Sequence, residues 1–393
     1  MNNLPSGFPQ PDAAALALSE NLSAHIAEII QTSGGIIPFD QYMEIALYAP
    51  GLGYYSNGLQ KFGSAGDFIT APETSALFGR CLAHSIAPVL QSFEQPDILE
   101  FGAGSGVMAV DVLSELSKRS ALPDRYLIVE RSASLKQRQR QRFERDIPEM
   151  QDRIQWIDDV SNLTINGVVI ANEVLDALSV KRFIWSDNRV VEQGVCINDT
   201  GFAFQKMSKT DEAMSSTILA LQANHEWCEG YQSEWSPMLR PWIKTIADCL
   251  TAGAVVFVDY GSVQSEYYHP QRHGGSLMCH YRHRAHPDPF VLPGLQDITA
   301  YVDFTAVAEA ADQVGLQVAG FTTQTHFLLN NGLDAFIGEV DPADQKTFFK
   351  LVSECKTLTM PGEMGERFKA IALTRNSAIE VGGFAEQDLR GRL

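Results

Sequence analysis

Residues 97–118 read DILEFGAGSGVMAVDVLSELSK: a short apolar run, then alternate glycines, then an amphipathic stretch. The apolar run predicts a buried β-strand, and the spacing of apolar residues after the glycines predicts a helix. Glycines at such a junction let the backbone approach a ligand closely, and the start of the helix offers N–H groups that the helix itself does not use. Gly102, Gly104 and Gly106 are therefore predicted to hold a ligand.

The pattern of strand followed by helix continues on the C-terminal side of this stretch. The sequences RYLIVE (125–130), IQWID (154–158) and GVVIANE (167–173) predict further buried strands, and AVVFVDYG (254–261) predicts a fifth. Two more strands are predicted from LQVAGFTTQTHFLL (316–329) and RFKAIALT (367–374). Strands that alternate with helices indicate an α/β fold with a mostly parallel sheet.

Other segments do not fit this alternation and are interpreted as additions to the sheet. Residues 1–90 are predicted to be an N-terminal helical segment with a loop that covers a cofactor, and residues 91–375 to be the core. Insertions are placed at about 180–235, 262–300 and 331–360; the first reads as a β-meander and the last as helical. Residues 376–393 are predicted to form a loose tail.

Composition excludes several classes of protein. Of 393 residues, 45% are hydrophobic and 20% are charged, as in soluble globular chains. The net charge of -18 argues against nucleic-acid binding, which needs a basic surface. The six cysteines are scattered without a C-x-x-C pair, and the start of the chain resembles neither a secretory signal nor a transit peptide. No apolar run is long enough to span a bilayer. These features predict a cytoplasmic protein.

Acidic residues at the ends of the predicted strands indicate a nucleotide-type cofactor. Glu130 ends the second strand, where a carboxylate holds a ribose diol. NAD(H) uses the same carboxylate, so Glu130 leaves both cofactors open. Glu100 stands two residues before the first glycine, in the E-x-G-x-G arrangement typical of methyltransferases, and favours S-adenosyl-L-methionine. Asp158 or Asp159 after the third strand is placed for adenine, and Asn172 ends the fourth strand.

Several longer blocks resemble the MidA family of class I S-adenosylmethionine-dependent methyltransferases, which includes mitochondrial complex I assembly factors. The matching blocks occur in the family's order between about residues 39 and 373; they are GDFITAPETSALFG (66–79), LEFGAGSG (99–106), NEVLDAL (172–178), VDYG (258–261), PGLQDITAYVDF (293–304) and GERFKAIAL (365–373). The resemblance implies a Rossmann-like core, with a seven-stranded, mostly parallel sheet and helices on both faces. It also implies symmetric dimethylation of an arginine in a protein substrate.

Carboxylates suit an arginine acceptor, because they orient a guanidinium in a bidentate fork and accept the proton that leaves. Glu173 and Asp176 lie three residues apart after the fourth strand, and Asp259 ends the fifth. These three residues are predicted to be catalytic, although Asp176 also suits a helix cap and Asp259 a turn. Two positions in the region predicted to face the acceptor depart from the family pattern: Ser276 replaces Thr, and Met278 replaces Arg.

Two loops complete the predicted site. Asp67 and Thr70, in GDFITAPE, are predicted to close over the cofactor, with a turn-stabilising role as the alternative. A histidine-rich stretch surrounds Cys279, but its spacing matches no common zinc motif, so no metal is predicted. This stretch is interpreted as a lid or a substrate-facing loop, with His280 as its best catalytic candidate.

Two alternative functions stay open at the level of the sequence. One is an NAD-dependent oxidoreductase, against which the polar Asn172-Glu173 strand end argues. The other is a binding or assembly protein that keeps the fold without catalysis, against which the intact glycine loop argues. The predicted partner is a protein that bears an arginine; neither nucleic acid nor a membrane is expected, and a homodimer is compatible with the sequence.

Overall fold

The structure of the protein is a computed structural model that describes residues 7–59, 69–341 and 343–393. The chain forms two compact units, each assembled from separate segments. The first unit contains residues 1–68, 177–238 and 265–301, and the second contains residues 69–176, 239–264 and 302–393. The glycine-rich stretch lies in the second unit, which we call the glycine-loop unit.

The glycine-loop unit contains one large sheet. We number its strands in chain order: β1 (Asp97–Phe101), β2 (Arg125–Val129), β3 (Ile154–Ile157), β4 (Ile165–Asn172), β5 (Leu250–Ser262), β6 (Val302–Asp303), β7 (Gln317–Thr323) and β8 (Phe368–Arg375). The order across the sheet is β7-β8-β5-β4-β1-β2-β3, and β6 pairs with the end of β5. Strands β1 to β5 run parallel to one another. Strand β8 is antiparallel to both of its neighbours, β5 and β7. This arrangement confirms the predicted fold class, with β6 as an additional short strand.

The register of the central strands brings the predicted site residues to one edge. Gly167 on β4 pairs with Asp97 on β1, and Ala171 pairs with Phe101. On the other side of β4, Asn172 pairs with Val258. The ends of β1, β4 and β5 therefore lie side by side, which is where open α/β sheets bind their ligands.

Helices alternate with most of the strands along the chain. We number those of the glycine-loop unit α1 (Ala71–Thr74), α2 (Ala76–Leu90), α3 (Val107–Lys118), α4 (Ala133–Asp146), α5 (Leu239–Cys249), α6 (Phe304–Gln313), α7 (Gln324–Asn330), α8 (Leu333–Gly338) and α9 (Gln345–Thr359). Short 3₁₀ helices cover Pro148–Arg153 and Arg390–Arg392. In α3 the buried positions Met108, Val112 and Leu116 recur every four residues and belong to the same core as Ile98 and Val168 of the sheet.

The other unit has its own sheets and core. Its helices are Ala13–Thr32, Phe39–Tyr48 and Glu212–Gln222, and a single-turn helix, Gln264–Tyr267, begins at the unit boundary in the sequence. A five-stranded sheet contains Ile36–Pro38, Lys181–Ser186, Arg189–Asn198, Gly201–Lys206 and Gln232–Trp235. The middle three of these strands form the predicted β-meander. Buried side chains such as Leu22, Tyr42 and Val195 form one core cluster of this unit.

The structure corrects three local predictions. The strand predicted over residues 316–329 ends at Thr323, because the Thr323 hydroxyl accepts a hydrogen bond from His326 N and caps α7. The stretch at 262–300 contains a three-stranded sheet of Met278–Tyr281, Arg284–His286 and Asp297–Thr299, whose strands are too short to show an alternating pattern. Residues 376–393 are packed, since Phe384 is buried against Phe327 and Leu389 N donates to Phe321 O.

Within the described residues, no helix is both long and apolar enough to cross a membrane.

Candidate active site

The loop of residues 102–106 joins β1 to α3 and turns through left-handed backbone at each glycine. The φ angles are +69° at Gly102, +54° at Gly104 and +82° at Gly106, values that side chains rarely permit. A Cβ atom on Gly102 would lie 2.7 Å from Val174 Cγ2. The glycine loop therefore contacts the segment that follows β4.

Glu100 is fully buried in β1, two residues before the loop. Its Oε2 accepts a 2.9 Å hydrogen bond from the Tyr126 hydroxyl. Burial raises the pKa of Glu100 to about 8, and the nearby Glu130 adds to the rise, while the Tyr126 hydrogen bond opposes it. Glu100 Oε1 is buried with no hydrogen-bond partner among the described residues. A buried polar atom without a partner is costly, so Oε1 is suited to a ligand's donor.

Glu130 follows β2 and is oriented from two sides. Its Oε1 accepts from Ser132 N at 2.8 Å, and its Oε2 accepts from Gln139 Nε2 at 3.4 Å. Burial raises the pKa of Glu130, while the Ser132 hydrogen bond opposes the rise. This geometry supports the predicted ribose-binding role without testing it, so that role stays a prediction.

Gln139 is a site residue that the sequence analysis missed. It lies on α4, and its side chain is fully buried between the glycine loop, Glu130 and Trp156. The only signal in the sequence was its spacing of four residues from Leu135 and Phe143, which are also buried. In a helix this polar, such spacing does not single out one glutamine.

Asp158 and Asp159 follow β3, as predicted, but both are exposed. Asp158 forms an ion pair with Lys136, and Asp159 accepts hydrogen bonds from the backbone N–H and the hydroxyl of Ser161. The Ser161 hydroxyl is the largest cause that lowers the pKa of Asp159. Neither contact joins these carboxylates to the glycine loop, and their predicted adenine contact stays a prediction.

The end of β4 carries the residues predicted to face the acceptor. Asn172 Nδ2 donates to Glu173 Oε1 at 3.1 Å, and Ala71 N donates to the same oxygen at 3.3 Å. Asn172 Oδ1 is buried without a partner among the described residues. Glu173 has φ +52°, a left-handed conformation that costs a residue with a side chain about 1–2 kcal/mol. Strain of this kind concentrates at functional sites, where the surrounding structure enforces it.

Asp259 holds the turn after β4 in place. Its Oδ2 accepts from the backbone N–H groups of Val174 (3.1 Å), Leu175 (2.9 Å) and Asp176 (3.3 Å), and its Oδ1 accepts from Tyr260 N (2.9 Å). Burial raises the pKa of Asp259 well above its usual value, and the Asp176 and Glu173 carboxylates add to the rise; the backbone donors oppose it. Asp259 thus orients the acidic turn, and direct participation of Asp259 or Asp176 in catalysis stays a prediction.

A single-turn helix, α1, joins the glycine loop to Glu173. The Thr70 hydroxyl accepts from Glu73 N at 3.4 Å and caps this helix, which supports the structural alternative for Thr70. The Glu73 carboxylate accepts a hydrogen bond from the Ser105 hydroxyl, and Ala71 N donates to Glu173. Glu73 was not among the predicted site residues. Asp67 lies outside the described residues.

His280 lies in the other unit, on the strand Met278–Tyr281, where it pairs with Asp297 and Ala285. Burial lowers the pKa of His280, and His286 lowers it further, so the ring is favoured in its neutral form near pH 7. Its predicted catalytic role stays a prediction.

We expect the histidine-rich segment around Cys279 to bind no zinc. Among the described residues, no group of three or more His, Cys, Asp or Glu side chains is arranged to hold a metal ion. Elemental analysis of the purified protein should show no stoichiometric zinc, and a chelator should leave its melting temperature unchanged. Stoichiometric zinc that is lost on replacing Cys279 by Ser would contradict this expectation.

The residues at this edge of the sheet fit S-adenosyl-L-methionine. In the left-handed glycine loop Gly102 is exposed and Gly104 is half-buried, and Glu130 is oriented as a hydrogen-bond acceptor. Glu100 Oε1 and Asn172 Oδ1, at the ends of adjacent strands, are buried and have no hydrogen-bond partner among the described residues. Glu100, Glu130 and the glycine loop would hold the cofactor, which supplies an electrophilic methyl group on a sulfonium.

Comparisons with known proteins agree with this fit. The sequence model of a family described as S-adenosyl-L-methionine-dependent methyltransferases matches residues 81–322, more than half of the chain. A protein from Burkholderia thailandensis, whose crystal structure contains bound S-adenosyl-homocysteine, is 41% identical to this chain, with a TM-score of 0.94. It covers 98% of this chain and 100% of its own. A second, native crystal structure from the same organism is 40% identical to this chain, with a TM-score of 0.91.

Curated relatives match along nearly the whole chain. The mitochondrial protein arginine methyltransferase NDUFAF7 of Danio rerio is 26% identical over 95% of this chain and 94% of its own length. The Drosophila melanogaster homolog is 28% identical over 93% and 87%, respectively. The predicted cytoplasmic location is wrong by this comparison, since these relatives are named as mitochondrial proteins.

The family match also decides between the cofactors that Glu130 left open, and it removes the oxidoreductase alternative. The site geometry and the matches lead to the same conclusion: the chain belongs to the family of S-adenosyl-L-methionine-dependent methyltransferases and uses S-adenosyl-L-methionine as its cofactor.

Proposed function

We propose that this methyltransferase modifies an arginine side chain of a protein substrate. The observation that carries the proposal is the acidic turn after β4, in which Glu173 and Asp176 lie on either side of Val174 and Leu175 in the sequence, and Val174 contacts Gly102 of the glycine loop. The turn is held by three backbone hydrogen bonds to Asp259, and Glu173 within it adopts left-handed backbone. A rigid anionic edge suits a cationic acceptor.

The chemistry of arginine explains why such an edge is needed. Its guanidinium stays protonated up to a pH above about 12, and its nitrogen lone pairs are delocalised. A carboxylate that binds the guanidinium orients one nitrogen and concentrates the positive charge on the others. Methyl transfer to that nitrogen would break the bond between the methyl group and the cofactor's sulfur, with the electron pair left on sulfur. It would also release an N–H proton, which a carboxylate is available to accept. Glu173 is the residue that we assign to this contact.

The contacts of Glu173 agree with this assignment. The hydrogen bonds from Ala71 N and Asn172 Nδ2 both end on Oε1 and orient the carboxylate. Its half-buried position limits competition from water, which strengthens a charge-assisted contact. The relatives that are named arginine methyltransferases give independent support.

Labelled methyl transfer identifies the acceptor. The purified protein is incubated with methyl-labelled S-adenosylmethionine and a protein extract, and the labelled proteins are hydrolysed to amino acids. We expect the label in methylated arginine, with symmetric dimethylarginine as the final product. Label in methyl-lysine, or only in small molecules, would refute the proposal while leaving the methyltransferase assignment intact.

The homodimer with which the sequence is compatible is not tested by the structure. Sedimentation of the purified protein with and without S-adenosylmethionine measures it directly.

A further inference from the structure

Gln139 is a fully buried polar residue on a helix that is rich in charged residues. The sequence of α4, ASLKQRQRQRFERD, alternates basic and polar residues, and only Leu135, Gln139 and Phe143 are buried. Leu135 and Phe143 fill the core, as apolar residues do. A buried carboxamide costs free energy unless its polar atoms find partners, so the partners of Gln139 indicate why a glutamine lies here.

The carboxamide bonds to three separate parts of the cofactor edge. Its Nε2 donates to Gly104 O at 2.9 Å and to Glu130 Oε2 at 3.4 Å. Its Oε1 accepts from Trp156 Nε1 at 2.7 Å. Gly104 follows β1, Glu130 follows β2 and Trp156 is on β3, so one side chain connects three successive strand ends.

The orientation of the carboxamide is determined by these partners. Gly104 O and the Glu130 carboxylate only accept hydrogen bonds, and the Trp156 indole N–H only donates. The amide group of Gln139 supplies two donors and one acceptor, which matches this set. A leucine would supply none of them, and a carboxylate would place a second negative charge beside Glu130.

We propose that Gln139 is a positioning residue for cofactor binding, which holds the Glu130 carboxylate in the orientation that receives the ribose hydroxyls. It does not touch the cofactor in this proposal and acts through Glu130. The alternative is that Gln139 only fills space between α4 and the sheet. The two roles differ in whether the effect of Gln139 on cofactor affinity depends on the presence of Glu130.

A double-mutant cycle separates these roles. Affinity for S-adenosylhomocysteine is measured by calorimetry for the wild type, Gln139→Leu, Glu130→Ala and the double variant. We expect Gln139→Leu to weaken binding roughly 10-fold in the wild type, the scale of one hydrogen bond to a charged group. In the Glu130→Ala background we expect a loss below about 3-fold, because interacting residues are not additive. Equal losses in both backgrounds would overturn the proposal.

A second variant covers the case in which Gln139→Leu does not fold. Gln139→Glu keeps the shape of the side chain and the oxygen that accepts from Trp156. When ionised, the introduced carboxylate carries the same charge as Glu130, which it faces. The other charged side chains that interact with Glu130 are Lys136 and Glu100. Protonation of the introduced carboxyl restores a donor. Gln137→Glu, at an exposed position of the same helix, is the matched control.

We expect the affinity of Gln139→Glu, relative to that of Gln137→Glu, to fall as the pH rises from about 5.5 to about 8.5. The comparison with the control removes the titration of Glu130 itself, which both variants share. A ratio that stays constant across this range, with both variants folded by their melting curves, would overturn the proposal.

Discussion

Replacing Glu173 by glutamine is expected to reduce methyl transfer by roughly 10²-fold or more, the scale of a positioned acid–base group. Glutamine keeps the oxygen that accepts from Ala71 N and Asn172 Nδ2, so the local structure is retained. What is lost is the negative charge that orients the guanidinium and the oxygen that accepts its proton. Because Glu173 is assigned to the acceptor and not to the cofactor, affinity for S-adenosylmethionine should stay within a few-fold.

Transfer of labelled methyl to a protein extract and calorimetry of the same variant test this expectation together. Glu309→Gln is a matched control, since Glu309 is an exposed glutamate of the same unit on α6. Near-normal transfer by Glu173→Gln would exclude Glu173 as a catalytic residue. Loss of cofactor affinity would instead assign Glu173 to the cofactor site.

Replacing Gly104 by valine is expected to abolish binding of S-adenosylmethionine. Gly104 has φ +54°, which a β-branched residue adopts only with strain, and its carbonyl is fixed by Gln139. The loop would have to rearrange, and the added side chain would occupy space on the surface offered to the cofactor. Calorimetric titration and the rise in melting temperature on adding ligand both measure the loss.

A valine at another glycine with left-handed backbone is the control for the effect of backbone strain alone. Gly315 in the same unit has φ +77° and no atom within 4 Å of an added Cβ. Gly315→Val should lower the melting temperature through the same backbone cost and still bind the cofactor. If Gly104→Val bound as tightly as Gly315→Val, the glycine loop would not be the cofactor site.

Most of the fold could be predicted from the periodicity of apolar residues and from local chemistry. Strands β4 and β5 contain the continuous apolar runs VVIA and AVVFV, and the order of strands and helices allows few parallel sheets. These two central strands are buried over nearly all their length, so their apolar runs can be recognised without information from distant parts of the chain. The small sheet around Met278–Tyr281 was missed, because its strands have three or four residues and no clear alternation.

The sequence by itself determined the α/β class, the glycine loop and the acidic residues that follow the strands, because these depend on neighbours in the chain. Only the tertiary structure decided what those residues do. Asp259 binds backbone groups 83 to 85 residues away and so holds the acidic turn, which its position at a strand end did not reveal. Gln139 gains its partners only when three strand ends meet, since hydrogen-bond geometry between distant segments is set by packing and leaves no local pattern in the sequence.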